Sequence, residues 1–181
     1  MDDAELVRLA QQGNSHAIGT LYDRHQPHIY RFVWSRVQHQ QTAEDMTGEI
    51  FIRMVTSLSG YRNTGIPFRA WLYRIARNLI VDHFRQHGER LPLSLDAVEN
   101  MTEETDSMDS LLQQKITVEY VEQALDRIDP EQRDVVVMRF LVGLPLKEVA
   151  LTLDKTVPAV KSLQHRGLAA LRVALQVEVG Q

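Results

Sequence analysis

Apolar residues recur along most of this chain at intervals of three and four, the spacing of a helix with one buried face. In "AELVRLAQQGN" Leu6, Leu9 and Ala10 share that face, and the helix stops near Gly13. "AIGTLYDRHQPHIYRFVWSRV" aligns Ile18, Leu21, Tyr22, Ile29, Phe32 and Val33. Pro27 predicts a kink or break within it, because proline lacks the amide hydrogen that a helix interior uses. "TAEDMTGEIFIRMVTSL" starts with Thr42 and, three residues on, Asp45, a variant of the capping box; its stripe is Met46, Ile50, Phe51, Met54, Val55 and Leu58. "SGYRNTGIPF" is a loop broken by Gly60, Gly65 and Pro67, and "RAWLYRIARNLIVDHFRQH" is a long helix ending before Gly88.

The period then fails. "ERLPLSLDAVENMTEETDSMD" holds a proline and an excess of acids, which predicts a flexible acidic linker. A second helical block follows: "SLLQQKITVEYVEQALDRI", then "DPEQRDVVVMRFL" with Asp129 as N-cap and Pro130 at the first helical position. Gly143 interrupts, "PLKEVALTL" is short, and a last helix starts after Thr156. No strand alternation, repeat or glycine-rich phosphate loop appears. The expected fold is all-α: two small helical domains, residues 1–88 and 110–181, joined by a linker over 89–109. The sequence runs only ten residues past Leu171, so no further C-terminal domain is expected.

Composition sharpens this picture in two ways. The 181 residues are 44% hydrophobic and contain no cysteine, so disulfides and thiolate ligands are excluded. No membrane-length apolar run or basic signal segment is evident, and a cytoplasmic protein is expected. The net charge of −4 is unevenly spread. Residues 61–90 carry six basic against two acidic side chains, 91–109 none against six, and 155–181 four against one.

The last basic stretch has a recognisable frame. Leu146, Val149, Ala150 and Leu153 mark the buried face of a short helix, "DKT" is a turn, and Thr156 can cap the helix that follows. Along that helix Val160, Leu163, Gly167, Leu168 and Leu171 point inward, and Lys161, Ser162, His165, Arg166 and Arg172 outward. No carboxylate follows Asp154 before Leu171. This is a helix-turn-helix, whose second helix enters the DNA major groove, where a carboxylate would repel phosphate. A merely solvated basic helix is the alternative, but it leaves the short helix and capped turn unexplained. The motif implies DNA binding and not a role.

The upstream stretch interleaves Arg62, Arg69, Arg74, Arg77, Arg85 and Arg90 with Tyr61, Phe68, Trp71, Tyr73 and Phe84. Arginines suit phosphates and aromatic faces suit unpaired bases; Asn63 and Asn78 could read an extruded base. Trp71, Leu72, Ile75, Leu79 and Ile80 are spaced as a core stripe, so Trp71 is expected in the core, with Arg74, Arg77 and Asn78 on the remaining face.

"AEDMTGEIFIRM", "FRAWLYRIARNLIVDHFRQ", the acidic linker and "LKEVALTLDKTVPAVKSLQHRGLAALR", in this order, resemble an extracytoplasmic-function (ECF) RNA polymerase sigma factor of the sigma-70 family. The resemblance covers nearly the whole chain and implies promoter recognition, DNA opening and transcription initiation, with no enzymatic activity, no cofactor and no metal. It implies that Asp45, Glu49, Ile52 and Arg53 dock on the bacterial RNA polymerase core. Arg62, Asn63, Thr64 and Arg69 would serve the minus-ten element, the loop from Arg62 to Pro67 holding a flipped base of the single-stranded non-template strand. Arg74, Arg77 and Asn78 would meet the adjacent strand. Lys155, Thr156, Lys161, Ser162, His165 and Arg166 would engage the minus-thirty-five duplex. An anti-sigma factor is a partner common in the family, and no membrane insertion is implied. Three departures stand out: Gly48 where the family often has Gln, Asp154 where Gly is frequent in the turn, and "KSLQHRGLAAL" in place of the commoner "KSRLHRAR", which removes one arginine from the helix middle.

Two other readings remain at this level. A helix-turn-helix regulator acting without polymerase predicts tight duplex binding by the chain alone. A zinc enzyme would draw on His83 with His87, or His25 with His28, but no third ligand is evident.

Overall fold

A computed structural model describes residues 1–88 and 118–179 of the chain. The expected linker, and the start of the helix expected from residue 110, lie outside the described residues. Among the described residues all regular structure is helical: α1 (Asp3–Gln11), α2 (Ser15–Val37), α3 (Gln40–Ser57), a 3₁₀ turn (Leu58–Gly60), α4 (Phe68–Gln86), α5 (Val118–Leu125), α6 (Pro130–Val136), α7 (Leu146–Leu153) and α8 (Val157–Val179).

The helix starts follow from side-chain capping. Asp2 accepts from the Glu5 amide at 2.8 Å, Asn14 from the Ala17 amide at 3.1 Å, and Asp129 from the amides of Glu131 and Gln132 with Pro130 at the first position. Three expectations need correction. Of the kink or break expected at Pro27 the break is absent: α2 runs through it, and Asp23 and Pro27 both lie exposed. The capping box at Thr42 is absent. Instead α3 begins earlier, with His39 as N-cap accepting from the Thr42 amide at 3.3 Å, and Asp45 takes a hydrogen bond from Gln41. Val55, placed by periodicity in the apolar stripe of α3, is 42% exposed.

The N-terminal core gathers Leu21, Ile29, Phe32, Ile50, Met54, Leu72, Tyr73 and Ile80 from α2, α3 and α4. Trp71 is half-buried, its ring 4.8 Å from Tyr61 and 5.7 Å from Phe68, so it packs as the stripe predicted. The C-terminal core gathers Leu125, Val136, Met138, Leu144, Val160 and Leu171. Past Val136, α6 widens into a π-helical turn, Val137–Leu141, closed by Val142 N–H to the Val137 carbonyl at 3.0 Å; Gly143, at φ +82°, then reverses the chain.

The two units pack on one another, their buried apolar residues forming one continuous cluster, and several polar contacts cross the boundary. Trp34 donates to Glu122 at 3.0 Å, Arg69 pairs with Glu148 at 2.8 Å, and Arg77 pairs with Asp134 at 2.9 Å. Arg36 also pairs with Asp134, and Arg74 donates to the Leu151 carbonyl. Thr152, buried on α7, lies against the Ala70 carbonyl of α4 at 3.4 Å.

Candidate nucleic-acid interface

The geometry of α7, the turn and α8 follows from three residues. Asp154 adopts the left-handed conformation (φ 55°, ψ 46°), which lets Lys155 N–H close back on the Ala150 carbonyl at 2.9 Å. Thr156 Oγ1 then accepts from the Ala159 amide at 3.3 Å and opens α8. Val160, Leu163 and Leu171 are buried, and Gly167 lies where α8 crosses α6. A Cβ on Gly167 would stand 2.9 Å from Val136 Cγ2 and 3.2 Å from the Gln132 carbonyl oxygen. Arg139, unremarked in the sequence, holds the helix from behind: it donates to Gln164 at 3.1 Å and to the Leu144 carbonyl at 2.7 Å.

The outward set divides. Thr156, Lys161, Ser162, His165 and Arg166 are exposed, so five of the six residues singled out for duplex contact share accessible surface. Lys155 is drawn aside to Glu131 at 3.2 Å. Arg172 is half-buried and engaged.

At the other unit the loop after the 3₁₀ turn is built on Tyr61. Its ring is buried and its hydroxyl donates to the Ile66 carbonyl at 2.7 Å, while burial raises its pKa. Gly65 at φ +91° supplies the reversal. Gln11, which the sequence gave no reason to single out, donates to the carbonyls of Leu58 and Tyr61 at 2.8 and 2.9 Å and pins the base of the loop to α1. Arg62, Asn63 and Thr64 stand exposed at the tip. Beside them opens a cleft of about 570 Å³, whose lining includes Asn63, His28 and the ion pairs Arg24–Asp3 and Arg69–Glu148. His25, buried under it, bonds Asp3 at 2.8 Å, and this bond lowers the Asp3 pKa despite burial. Burial first, then Arg31 and His25, lower the pKa of His28.

Along α4 the structure separates residues that the sequence grouped. Asn78 is exposed, whereas Arg69, Arg74 and Arg77 are half-buried and paired with the C-terminal unit. The Glu148 hydrogen bond raises the Arg69 pKa further. On α3, Asp45 and Arg53 are exposed and Ile52 is 60% exposed, with Arg53 bridging to Glu49 at 2.8 Å. Val55 and Tyr22 extend this surface, the latter edge-on to Phe51 at 4.7 Å. Exposed apolar side chains ringed by charge suit a protein partner. Among the described residues no group of three potential ligands could hold a metal ion, and no helix is long and apolar enough to cross a membrane.

Comparison with known proteins places these surfaces in a family frame. The sigma-70 region 2 model matches residues 21–90, and the sigma-70 region 4 model matches residues 124–173. The chain is 30% identical over 181 residues to the ECF RNA polymerase sigma factor SigD of Mycobacterium tuberculosis, covering 92% of this chain and 81% of the relative. It is 35% identical to the ECF RNA polymerase sigma factor BldN of Streptomyces coelicolor over 92% of its own length, and spans 63% of that longer relative. Among solved structures, CnrH in complex with the cytosolic domain of CnrY is similar, with a TM-score of 0.74, 25% identity and 97% of each chain covered. The sigma factor RpoE of Bartonella quintana, solved with the anti-sigma factor NepR, shares the fold at TM-score 0.65 and 18% identity, covering 88% of this chain and 96% of that one.

Proposed function

Because the chain belongs to the ECF RNA polymerase sigma factors of the sigma-70 family, we propose that it directs bacterial core polymerase to promoters and helps to open them. On this reading residues 1–88 form the unit that binds core polymerase and the minus-ten element. Residues 110–181 form the unit that binds the minus-thirty-five element, and 89–109 form the acidic tether. No catalytic step is assigned to the chain. Polymerase and promoter lie in the cytoplasm, and so on this reading does the protein.

The observation that carries the reading is the outer face of α8. Lys161, Ser162, His165 and Arg166 are exposed together on a helix that presents no carboxylate among them. Thr156 and its cap set the N-terminal end of that face toward base edges, while Lys161 and Arg166 can meet phosphates. The tip of the Tyr61 loop is the second element. Asn63, at the mouth of the cleft, supplies amide donors and an acceptor for an extruded base, and Arg62 supplies charge for its phosphate. The third is α3, where Ile52 with Asp45, Glu49 and Arg53 would seat on the polymerase, an apolar anchor within a charged rim.

Each DNA face is small, and each alone would bind weakly. Held together on one polymerase, they act at a high effective concentration on a promoter of matching spacing. An anti-sigma factor, such as the one solved with the similarly folded RpoE, is proposed as a further partner of this chain. A gel-shift with promoter duplex, run with and without core polymerase, tests the proposal. Tight, sequence-selective complexes are expected only with polymerase; equally tight complexes without it would instead mark a regulator that acts alone.

A further inference from the structure

Each acid that lines the cleft beside Asn63 already has a partner within the chain. Asp2 caps α1 through the Glu5 amide, Asp3 holds Arg24 and His25, and Glu148 holds Arg69. The cations around the cleft are not all matched in return. Arg31 of α2 stands exposed three residues beyond His28, on the same side of the helix, and no carboxylate pairs with it among the described residues. His28 itself lines the cleft.

Two further observations mark this edge as a place for an anion. Partial burial, and after it Arg31, His25 and Arg69, lower the pKa of His28; one more proton is disfavoured where cations already gather. Tyr73 of α4 also lines the cleft, and its side chain is 1% exposed. Its hydroxyl has no hydrogen-bond partner among the described residues. Burial raises the Tyr73 pKa, so the proton stays in place, and the charged groups acting on it most are Arg69 and Arg31. A buried hydroxyl proton with no acceptor, in the field of two guanidinium groups, lacks an anionic oxygen.

From this convergence we infer that Arg31, His28 and the Tyr73 hydroxyl form a seat for a phosphodiester of single-stranded DNA. The seat carries onto α2 the strand path that begins at Arg62 and Asn63, and the inference rests on the proposal that this loop holds an extruded base. Arg31 supplies the unmatched charge, Tyr73 the neutral donor, and His28 the wall between the cleft and Arg31. Arg24 and Arg69 are committed to Asp3 and Glu148 and shape the cleft instead. A single strand suits the seat better than a duplex. Its phosphate must turn into the cleft to meet the hydroxyl, which a flexible strand anchored at Asn63 can do and a backbone wound on its own helix cannot.

The test measures binding of the full chain to a short labelled single-stranded DNA, and to a duplex of the same sequence, as a function of salt. Each phosphate contact with a single strand contributes about 0.7 to the slope of log affinity against log salt. Arg31→Gln, at an exposed side chain, should lower the single-strand slope by about that amount, so that its deficit is about threefold larger at about 50 mM salt than at about 200 mM. Duplex binding should not change. Arg8→Gln, at an exposed arginine of α1 outside the cleft lining, should change neither. Tyr73→Phe removes a donor that has no partner, so the thermal midpoint should not fall, while single-strand affinity drops about fivefold with its slope unaltered. An unmoved slope in Arg31→Gln, an unmoved affinity in Tyr73→Phe, or equal losses on the duplex would each overturn the seat. So would a wild-type chain that binds no single strand at low salt. If the slope falls as expected but wild type never initiates transcription with core polymerase, the seat stands and the promoter reading falls; initiation with an unmoved slope does the reverse.

Discussion

Arg77 Nε donates to the carboxylate of Asp134 at 2.9 Å, a contact that joins helices 57 residues apart in sequence and belonging to different units. The side chain expected to hold an opened strand is thus held by an acid. Because Asp134 keeps Arg36 when Arg77 is removed, its carboxylate is not left buried and bare. Arg77→Ala combined with Asn78→Ala should therefore leave the chain folded and bound to polymerase within about twofold, while open-complex formation falls about tenfold, the loss of about 1.4 kcal/mol of strand contact. Permanganate reactivity of the promoter, compared with core-polymerase binding, checks this. Equal losses in both would refute the division of labour.

Ile52 offers the complementary case. It is 60% exposed, so Ile52→Asp removes little from the core of the N-terminal unit and should leave the thermal midpoint within a degree or two, an effect under about 0.5 kcal/mol. Core-polymerase affinity should drop more than tenfold, because a carboxylate would be driven into the apolar centre of the contact. Unchanged affinity would move the polymerase face elsewhere.

Two glycines should respond in opposite directions. Gly48→Ala meets open space on α3 and should raise stability by about 0.5–1 kcal/mol through helix propensity. Gly167→Ala gains the same propensity but drives a methyl against Val136 and the Gln132 backbone, a strain of about 1–3 kcal/mol. Its net effect should be destabilising, with weaker minus-thirty-five binding as α8 shifts. Urea midpoints of the two variants make the comparison.

Much of this organisation can be read from the sequence, and what cannot has identifiable causes. The helix-turn-helix is legible because Thr156, Asp154 and the apolar spacing of α7 and α8 are local signals. The uninterrupted passage of α2 through Pro27 depends on whether the freed carbonyl reaches water, which the local sequence does not state. His39 as a cap is obscured by the stronger capping reputation of Thr42. Least legible is the pairing of Arg36 with Asp134, 98 residues apart. Charge patterns show which segments are basic, and not which acid each arginine meets. Arg62, Asn63, Lys161 and Arg166 are exposed, as contact with DNA would need, whereas Arg69, Arg74 and Arg77 of α4 are held by the C-terminal unit.

Asp3 gives a pH-dependent prediction. Its hydrogen bond to His25, and further its bond to Arg24, hold its carboxyl below the ordinary 3.8, against a partial offset from burial. A carboxyl with a depressed native pKa stabilises the fold fully above its unfolded value and loses that contribution as pH falls through the native one. Asp3→Asn should therefore be less stable than wild type at neutral pH, with the difference closing below about pH 4. Acid-denaturation curves of the two chains would show this convergence. Parallel curves throughout would contradict it.

Reconstituted transcription is the most direct measurement of the central claim. Purified chain is added to bacterial core polymerase, freed of its own sigma factors, on a library of promoter-length templates, and transcripts are mapped. Initiation from a subset sharing two elements at fixed spacing, lost when Lys161 and Arg166 are replaced together by alanine, is the expected result. No association with core polymerase and no initiation above background from any template would contradict it.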